Sequence, residues 1–178
     1  YAVPSNTQAG TYTVEAALVE NDNYQADSAS SNLVVRYPTI TTLSRVTGSR
    51  GDTVNLTATI TSNTQPVTEG YVQFYIHYAG TWTPINSPAA VNSSGVAVTQ
   101  FEITSSNTVI FDNTIKAEYV RNTSYETSTS TNVLHVADPM TITMQNVLVN
   151  RGSTVQIPFL VTAESSSSLS NMEATVTI

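Results

Sequence analysis

The sequence contains no cysteine among its 178 residues. Disulfides, thiolate metal sites and cysteine nucleophiles are therefore excluded, and stability must come from packing and backbone hydrogen bonds. Basic residues are also scarce, because 6 Lys and Arg stand against 13 Asp and Glu, giving a formal net charge of −7. A nucleic-acid partner needs a cationic surface to meet its phosphates, so that class of partner is excluded as well.

Charged residues of either sign make up only 11% of the chain, and Ser, Thr and Asn take most of the polar positions. This composition is typical of secreted β-proteins. The longest apolar stretches, such as Ala16–Val19, are far shorter than the roughly 20 residues that span a bilayer, so no membrane span is predicted in this segment. Because the sequence begins at Tyr1 and has no recognisable signal peptide, we interpret it as an excerpt of a longer extracellular, cell-surface protein.

What the sequence does contain is an internal repeat. Shifted by 101 residues, the chain matches itself in a single register. The matches include Val14 with Ile115, Ala16 with Ala117, Val19 with Val120, Asn21 with Asn122, Tyr24 with Tyr125, Leu33 with Leu134, Val35 with Val136, Arg50 with Arg151, Gly51 with Gly152 and Val54 with Val155. Chance does not keep one register over so many positions.

Two matching prolines, Pro38 and Pro139, mark the point where one repeat passes to the next. Proline suits the start of a strand, because it removes a donor where the hydrogen-bond ladder has not yet begun. We therefore predict three units. Residues 1–37 are the C-terminal part of one repeat, residues 38–138 are a complete repeat, and residues 139–178 are the N-terminal part of the next.

Apolar residues alternate within each unit, as expected for strands with one buried face. The alternating sets are Val54, Leu56, Ala58 and Ile60; Val72, Phe74 and Ile76; Ile115, Ala117 and Tyr119; and Val155, Ile157, Phe159 and Val161. Turn formers separate them at Gly48 with Gly51, 63–66, 93–95 and 122–124. Seven or so short strands in about 100 residues indicate an all-β fold of tandem immunoglobulin-like antiparallel β-sandwich repeats of about 101 residues.

Three short motifs carry a family resemblance: Gly70–Phe74, Gly95 at the start of a strand, and Ala9–Tyr12 leading into a strand. With these motifs the chain resembles the bacterial-type Ig-like repeats of adhesin-like surface proteins from bacteria and methanogenic archaea, over nearly its whole length. The cysteine pair and core tryptophan of antibody domains are missing. The resemblance implies an extracellular stalk or adhesive array, and it carries over no catalytic residue.

No set of residues predicts catalysis. The two histidines, His77 and His135, each lie in a predicted strand with no second histidine nearby in sequence, and no pair among the 13 acidic residues stands out by its spacing. A catalytic site requires an acid, base or nucleophile held within reach of a partner. We therefore predict that the protein is not an enzyme and binds no cofactor.

Two loops resemble known binding motifs, but the matching loops 101 residues later do not keep those motifs. Arg50–Asp52 has the form of an integrin-binding tripeptide, but the next repeat has Arg151–Ser153, so a glycine turn explains both copies. Glu20–Asn23 offers oxygen ligands for calcium, but the matching loop, Arg121–Ser124, has lost every carboxylate. A turn-rich hairpin tip is the better interpretation of that loop, and no metal site is predicted.

Glycan binding is the stronger binding hypothesis. Tyr75, Tyr78 and Trp82 lie close together in sequence around a predicted strand end, and sugars stack on exposed aromatic rings. If Val72 and Phe74 point inward, Tyr75 points outward. The alternative is that these rings only cover the edge of the core or stabilise the sheet.

Covalent modification has weaker support. Glycosylation sequons occur at Asn55, Asn92 and Asn122, and Asn122, on a predicted hairpin loop, is the first choice if any carries a glycan. Lys116, the single lysine of the sequence, lies between two inward residues and so faces outward. That position argues against an internal isopeptide crosslink.

Three functions remain open at this point. The chain is a structural stalk or spacer segment of an adhesin-like surface protein, a subunit of a surface filament or sheath assembled by pairing of half-domains between copies, or a glycan-binding adhesin domain. The expected partners are neighbouring Ig-like repeats, in the same chain or in adjacent copies, and surface glycans. Fold alone does not choose among these roles.

Overall fold

The computed structural model describes residues 2–163, and all the helix-or-strand structure in that range is β-strand. The strands are β1 (Gly10–Leu18), β2 (Asp27–Val35), β3 (Ile40–Leu43), β4 (Val46–Ser49), β5 (Thr53–Ser62), β6 (Gln65–Pro66), β7 (Tyr71–Tyr78), β8 (Thr81–Ala90), β9 (Val96–Glu102), β10 (Phe111–Val120), β11 (Ser128–Ala137), β12 (Met140–Met144) and β13 (Phe159–Ala163). Over those same residues, no helix could cross a membrane.

Strands β3 to β11 form a two-layer sandwich. One sheet has five strands in the order β4-β11-β10-β7-β8, and the other pairs β5 with β3, β6 and β9. The first strand of the unit is divided at residues 44–45, so that β3 joins one sheet and β4 the other. This arrangement confirms the predicted immunoglobulin-like sandwich. One pairing departs from the antiparallel prediction, because β4 runs parallel to β11.

The core lies between the two sheets and follows the predicted alternation. Leu56 and Ile60 of β5, Phe74 of β7 and Tyr119 of β10 are each at most 1% exposed. Their neighbours along each strand are more exposed, which is the period-2 pattern of a strand with one buried face. Each such side chain contributes roughly 1.5–3 kcal/mol by leaving water. With no cysteine present, this apolar packing is the main source of stability.

The hairpins on either side of the sandwich reproduce its strand pairing at an offset of 101 residues. Hairpin β1–β2 has the register of β10–β11, and hairpin β12–β13 has the register of β3–β5. The corresponding pairs are Gly10 opposite Val35 with Phe111 opposite Val136, and Ile40 opposite Thr61 with Thr141 opposite Thr162. The sequence repeat is therefore also a repeat of backbone register.

Two local expectations were wrong. Val155 and Ile157 were predicted to lie in a strand, but β13 begins only at Phe159. In the sandwich, the first half of β5 pairs with β9, whereas within residues 2–163 the strand partner of β13 is β12, which pairs only with Phe159–Ala163. Gly48 was predicted to form a turn but lies within β4, where an added Cβ would stand 2.7 Å from Ile103 Cδ1. The predicted unit 139–178 includes residues 164–178, which lie outside the described part of the chain.

Candidate functional site

The candidate site lies on the outer face of the five-stranded sheet. Because Phe74 and Ile76 of β7 point into the core, Tyr75 and His77 point to the opposite face. The strand register then places Lys116 of β10 opposite Tyr75, and Trp82 of β8 opposite His77. Three neighbouring strands therefore bring these four side chains to one surface.

We call Tyr75, His77, Trp82 and Lys116 the aromatic patch. The Lys116 ammonium lies 4.1 Å from the Tyr75 ring centroid and 5.2 Å from that of Trp82. The rings of His77 and Trp82 are 5.0 Å apart and tilted. Each cation–π contact of this kind is worth about 0.5–1 kcal/mol at an exposed site, so the patch stabilises the sheet even when no ligand is bound.

A ligand would meet mainly Trp82, which is 40% exposed, and His77, which is exposed as well. Lys116 also forms an ion pair with Glu118, at 3.4 Å, so its charge is already partly balanced. An exposed indole face beside hydrogen-bonding groups is the arrangement that stacks on a sugar ring. The same contacts also suit a purely structural cross-strand cluster.

Of the three aromatic residues predicted as a site, the structure brings together Tyr75 and Trp82 but not Tyr78. Tyr78 lies an even number of residues from Phe74 along β7, so it is on the opposite face of the strand from Tyr75. Its hydroxyl donates to the Ser105 carbonyl at 3.3 Å. It ties β7 to the loop after β9 and takes no part in the patch. The spacing of these residues in the sequence did not predict that Tyr78 lies apart. It also did not predict that Lys116 lies beside Tyr75, because that contact depends on the register of β7 against β10.

The three sequons lie in different surroundings. Asn55 is exposed on β5, and Asn92 is exposed in the turn between β8 and β9. Asn122 is partly buried: its Oδ1 accepts from two backbone amides, and its Nδ2 donates to the Tyr119 hydroxyl at 3.1 Å and to Glu69 at 3.4 Å. A glycan on Nδ2 would displace one of these bonds, so the geometry favours Asn55 and Asn92 over Asn122.

The Arg50–Asp52 loop is built as a turn. Gly51 has φ +91°, the Asp52 amide donates to the Ser49 carbonyl at 3.1 Å, and the Asp52 carboxylate accepts from the Ser49 amide at 2.8 Å. The next repeat keeps the backbone part of this turn, with φ +86° at Gly152. The turn lies between β4 and β5, and its carboxylate is engaged within the loop.

The Glu20–Asn23 loop is likewise organised by an asparagine. Asn21 Oδ1 accepts from the amides of Asn23 and Tyr24, each at 3.0 Å, and Asn122 Oδ1 does the same one repeat later. The shared feature is therefore the Asx turn rather than the acidic residues. Within residues 2–163, no group of three or more His, Cys, Asp or Glu is placed to hold a metal ion.

The pairing of a histidine with an acidic residue was also missed by the sequence analysis. His135 has a partner that is distant in sequence, because the register of β10 with β11 places it opposite Asp112. Its Nδ1 lies 2.7 Å from Asp112 Oδ1. The pair lies near the end of the hairpin, beside the tilted ring of Phe111, and joins the two strands there.

The phenol of Tyr119 is buried, and its surroundings shift its pKa. Its hydroxyl donates to the Glu69 carbonyl at 3.2 Å and accepts from Asn122 Nδ2. Burial, followed by the nearby charges of Glu69 and Tyr125, raises the pKa of Tyr119 to about 12. The ordinary value is 10.0.

We expect the free energy of unfolding to fall as pH rises through the interval from about 10 to 12. The unfolded chain releases the Tyr119 proton first, so it binds fewer protons than the native state in that interval, and stability decreases with pH. Urea unfolding at pH 8 and at steps above 9.5 measures this effect. In Tyr119→Phe the decline should be shallower, and equal declines in both proteins would contradict the assignment.

Comparisons with known proteins find similarity of structure only. No protein-family model and no curated protein matches the chain. A tetra-tandem repeat in the extending region of a large adhesion protein is 20% identical with a TM-score of 0.41; the match covers 80% of this chain, which spans 36% of that structure. A marsupial T cell receptor is 10% identical with a TM-score of 0.35, over 61% of this chain and 59% of the receptor. Neither similarity assigns a function.

Proposed function

We propose that the chain is a structural segment of an extracellular, adhesin-like surface protein, in which it acts as a stalk or spacer. Its units are the partial repeat 1–37, the complete repeat 38–138 and the partial repeat 139–178. The observation that carries the proposal is the recurrence of one strand register at an offset of 101 residues on both sides of a complete sandwich. Units stacked along a chain in this way build length.

The parallel pair β4–β11 supports the spacer role. β4 lies near the start of the complete repeat and β11 at its end, and their hydrogen bonds join Leu134–Ala137 to Val46–Ser49. A pull along the chain therefore displaces these two strands lengthwise against each other. Several hydrogen bonds must then break together, which suits a unit that bears tension.

Surface labelling tests the proposal. Antibodies raised against the complete repeat are applied to intact and to permeabilised cells of the source organism. A surface spacer is labelled on intact cells, and brief protease treatment of those cells removes the signal. Labelling that requires permeabilisation would contradict the proposal, and labelling of an internal protein in parallel checks that the cells are intact.

Glycan binding is a second candidate, favoured by the exposed indole of Trp82 beside Tyr75 and Lys116. We expect Trp82→Ala to abolish any signal on a glycan array, because it removes the stacking surface. Tyr71→Ala is the matched control, since Tyr71 is 56% exposed on the same face of β7 but at its other end. Equal signals from both variants, or no signal from the unchanged protein, would exclude this candidate.

The filament alternative has one supporting observation. Hairpins β1–β2 and β12–β13 have the registers of strand pairs that pack within the complete sandwich. The two partial repeats correspond to most, though not all, of the 101 positions of a repeat, so those of two copies could pair. Native mass measurement of the 178-residue chain over a range of concentrations tests it. Chains of increasing mass would support assembly, and a strict monomer at high concentration would exclude it.

A further inference from the structure

The segment between β2 and β3 is docked onto a loop of the complete repeat. Tyr37 forms a parallel bridge with Tyr125. Its amide donates to the Ser124 carbonyl at 2.8 Å, and its carbonyl accepts from the Glu126 amide at 2.9 Å. The backbone of this connecting segment is therefore paired as in a sheet, although it lies outside the named strands.

Side chains strengthen this docking. Arg36 Nε donates to the Asn122 carbonyl at 2.9 Å, and its guanidinium lies 3.7 Å from the Glu126 carboxylate. The rings of Tyr37 and Tyr125 are 5.8 Å apart and tilted. Both Arg36 and Tyr37 are partly buried, so the contacts are shielded from water on one side.

Tyr37 also reaches back to the preceding unit. Its hydroxyl donates to the side-chain carbonyl of Gln8, in the loop before β1. The backbone carbonyl of Gln8 accepts from the hydroxyl of Tyr12 on β1, at 2.9 Å. A single tyrosine therefore contacts the first partial repeat through its side chain and the complete repeat through its backbone.

The next connection along the chain has different residues. At an offset of 101, Gln8, Arg36 and Tyr37 correspond to Val109, Ala137 and Asp138. All three polar side chains change together, and none of the replacements can supply the same hydrogen bonds. The side-chain contacts that Gln8, Arg36 and Tyr37 make at this connection are therefore not supplied by the residues at the matching positions.

We infer that Gln8, Arg36, Tyr37, Tyr125 and Glu126 form a junction clamp that holds the first partial repeat and the complete repeat in one fixed orientation. The inference rests on the proposed function, because it assumes that both units belong to one array. It adds that this junction of the array is stiff. The clamp replaces the flexible connection expected between neighbouring domains by default.

A pair of spin labels across the junction tests the clamp. The sequence has no cysteine, so cysteines introduced at the exposed Thr13 and Thr59 carry the only labels, one in each unit. Double electron–electron resonance should give a single narrow distance distribution in the otherwise unchanged chain. Tyr37→Ala should lose the narrow peak and give a broad distribution.

Conservative variants keep the test decisive if Tyr37→Ala disturbs folding. Tyr37→Phe and Gln8→Ala each remove the same hydrogen bond, so each should broaden the distribution equally, and the double variant no further. Tyr24→Ala is the matched control, because Tyr24 is 67% exposed at the position equivalent to Tyr125 and lies outside the clamp. A broad distribution in the starting chain, or additive effects of Tyr37→Phe and Gln8→Ala, would overturn the inference. Surface labelling of cells tests the proposed function separately.

Discussion

Replacing Gly70 with alanine is expected to lower the free energy of unfolding by about 3 kcal/mol, from backbone strain and overpacking together. Gly70 has φ +88°, a conformation that favours glycine. An added Cβ would lie 2.6 Å from the Tyr119 hydroxyl oxygen and 2.9 Å from Tyr119 Cε2. Tyr119 is fully buried, so it has no space into which it can move.

Gly80→Ala is the control for the backbone contribution. Gly80 has φ +80°, but nothing lies within 4 Å of an added Cβ, so only about 1–2 kcal/mol should be lost. Urea unfolding of both variants measures the difference, which reports the steric conflict with Tyr119. Adding Tyr119→Phe should reduce the penalty of Gly70→Ala, because it removes the atom in closest conflict. Equal losses in the two glycine variants would contradict this explanation.

Much of the sandwich could be predicted from the sequence, since its strands have one buried face and one exposed face. Leu56, Phe74 and Tyr119 lie at positions that alternate with polar residues, and the period of two places them in the core. The repeat at 101 residues also predicted equivalent strands on either side. Both signals are local in sequence or compare the sequence with itself, so they need no knowledge of strand pairing.

Features that depend on strand pairing could not be predicted in the same way. Lys116 lies over Tyr75 only because β10 pairs with β7 in one particular register. The same applies to His135 and Asp112 across β10 and β11. A one-residue slip would place each of these side chains on the other face of the sheet, and one sequence does not specify the register.

The junction clamp could not be predicted from the sequence for a related reason. Arg36 and Tyr37 stand just before Pro38, where the sequence indicated only the end of a repeat. Their partners lie about 90 residues away, in the loop containing Tyr125 and Glu126. The contact forms because the first strand of the sandwich, β3, lies beside β11 and brings the connecting segment next to the loop that precedes β11.

The second large effect is expected at Asn113, which is 4% exposed. Its Oδ1 accepts from the Val109 amide at 2.8 Å, and its Nδ2 donates to the carbonyls of Val109, at 2.8 Å, and Phe111, at 3.1 Å. One side chain thus closes the loop that leads into β10. Asn113→Asp keeps the shape but sets a carboxylate oxygen against these carbonyls, so about 3 kcal/mol or more should be lost near neutral pH.

The loss of unfolding free energy in Asn113→Asp should depend on pH if it comes from repulsion between the carboxylate and the backbone carbonyls. It should not depend on pH if it comes from a change of packing alone. When the carboxyl introduced by Asn113→Asp is protonated, it can donate one hydrogen bond to the Val109 or Phe111 carbonyl, so much of the original bonding is kept. The native environment therefore raises the pKa of the introduced carboxyl, so the deficit is smallest below the unfolded-state pKa of about 4 and grows as pH rises. Urea unfolding of the variant and the unchanged chain from pH 3.5 to 7.5 measures the deficit. Asn55→Asp, at an exposed position on β5, should show little loss at any pH, and a deficit at Asn113 that does not vary with pH would contradict the repulsion.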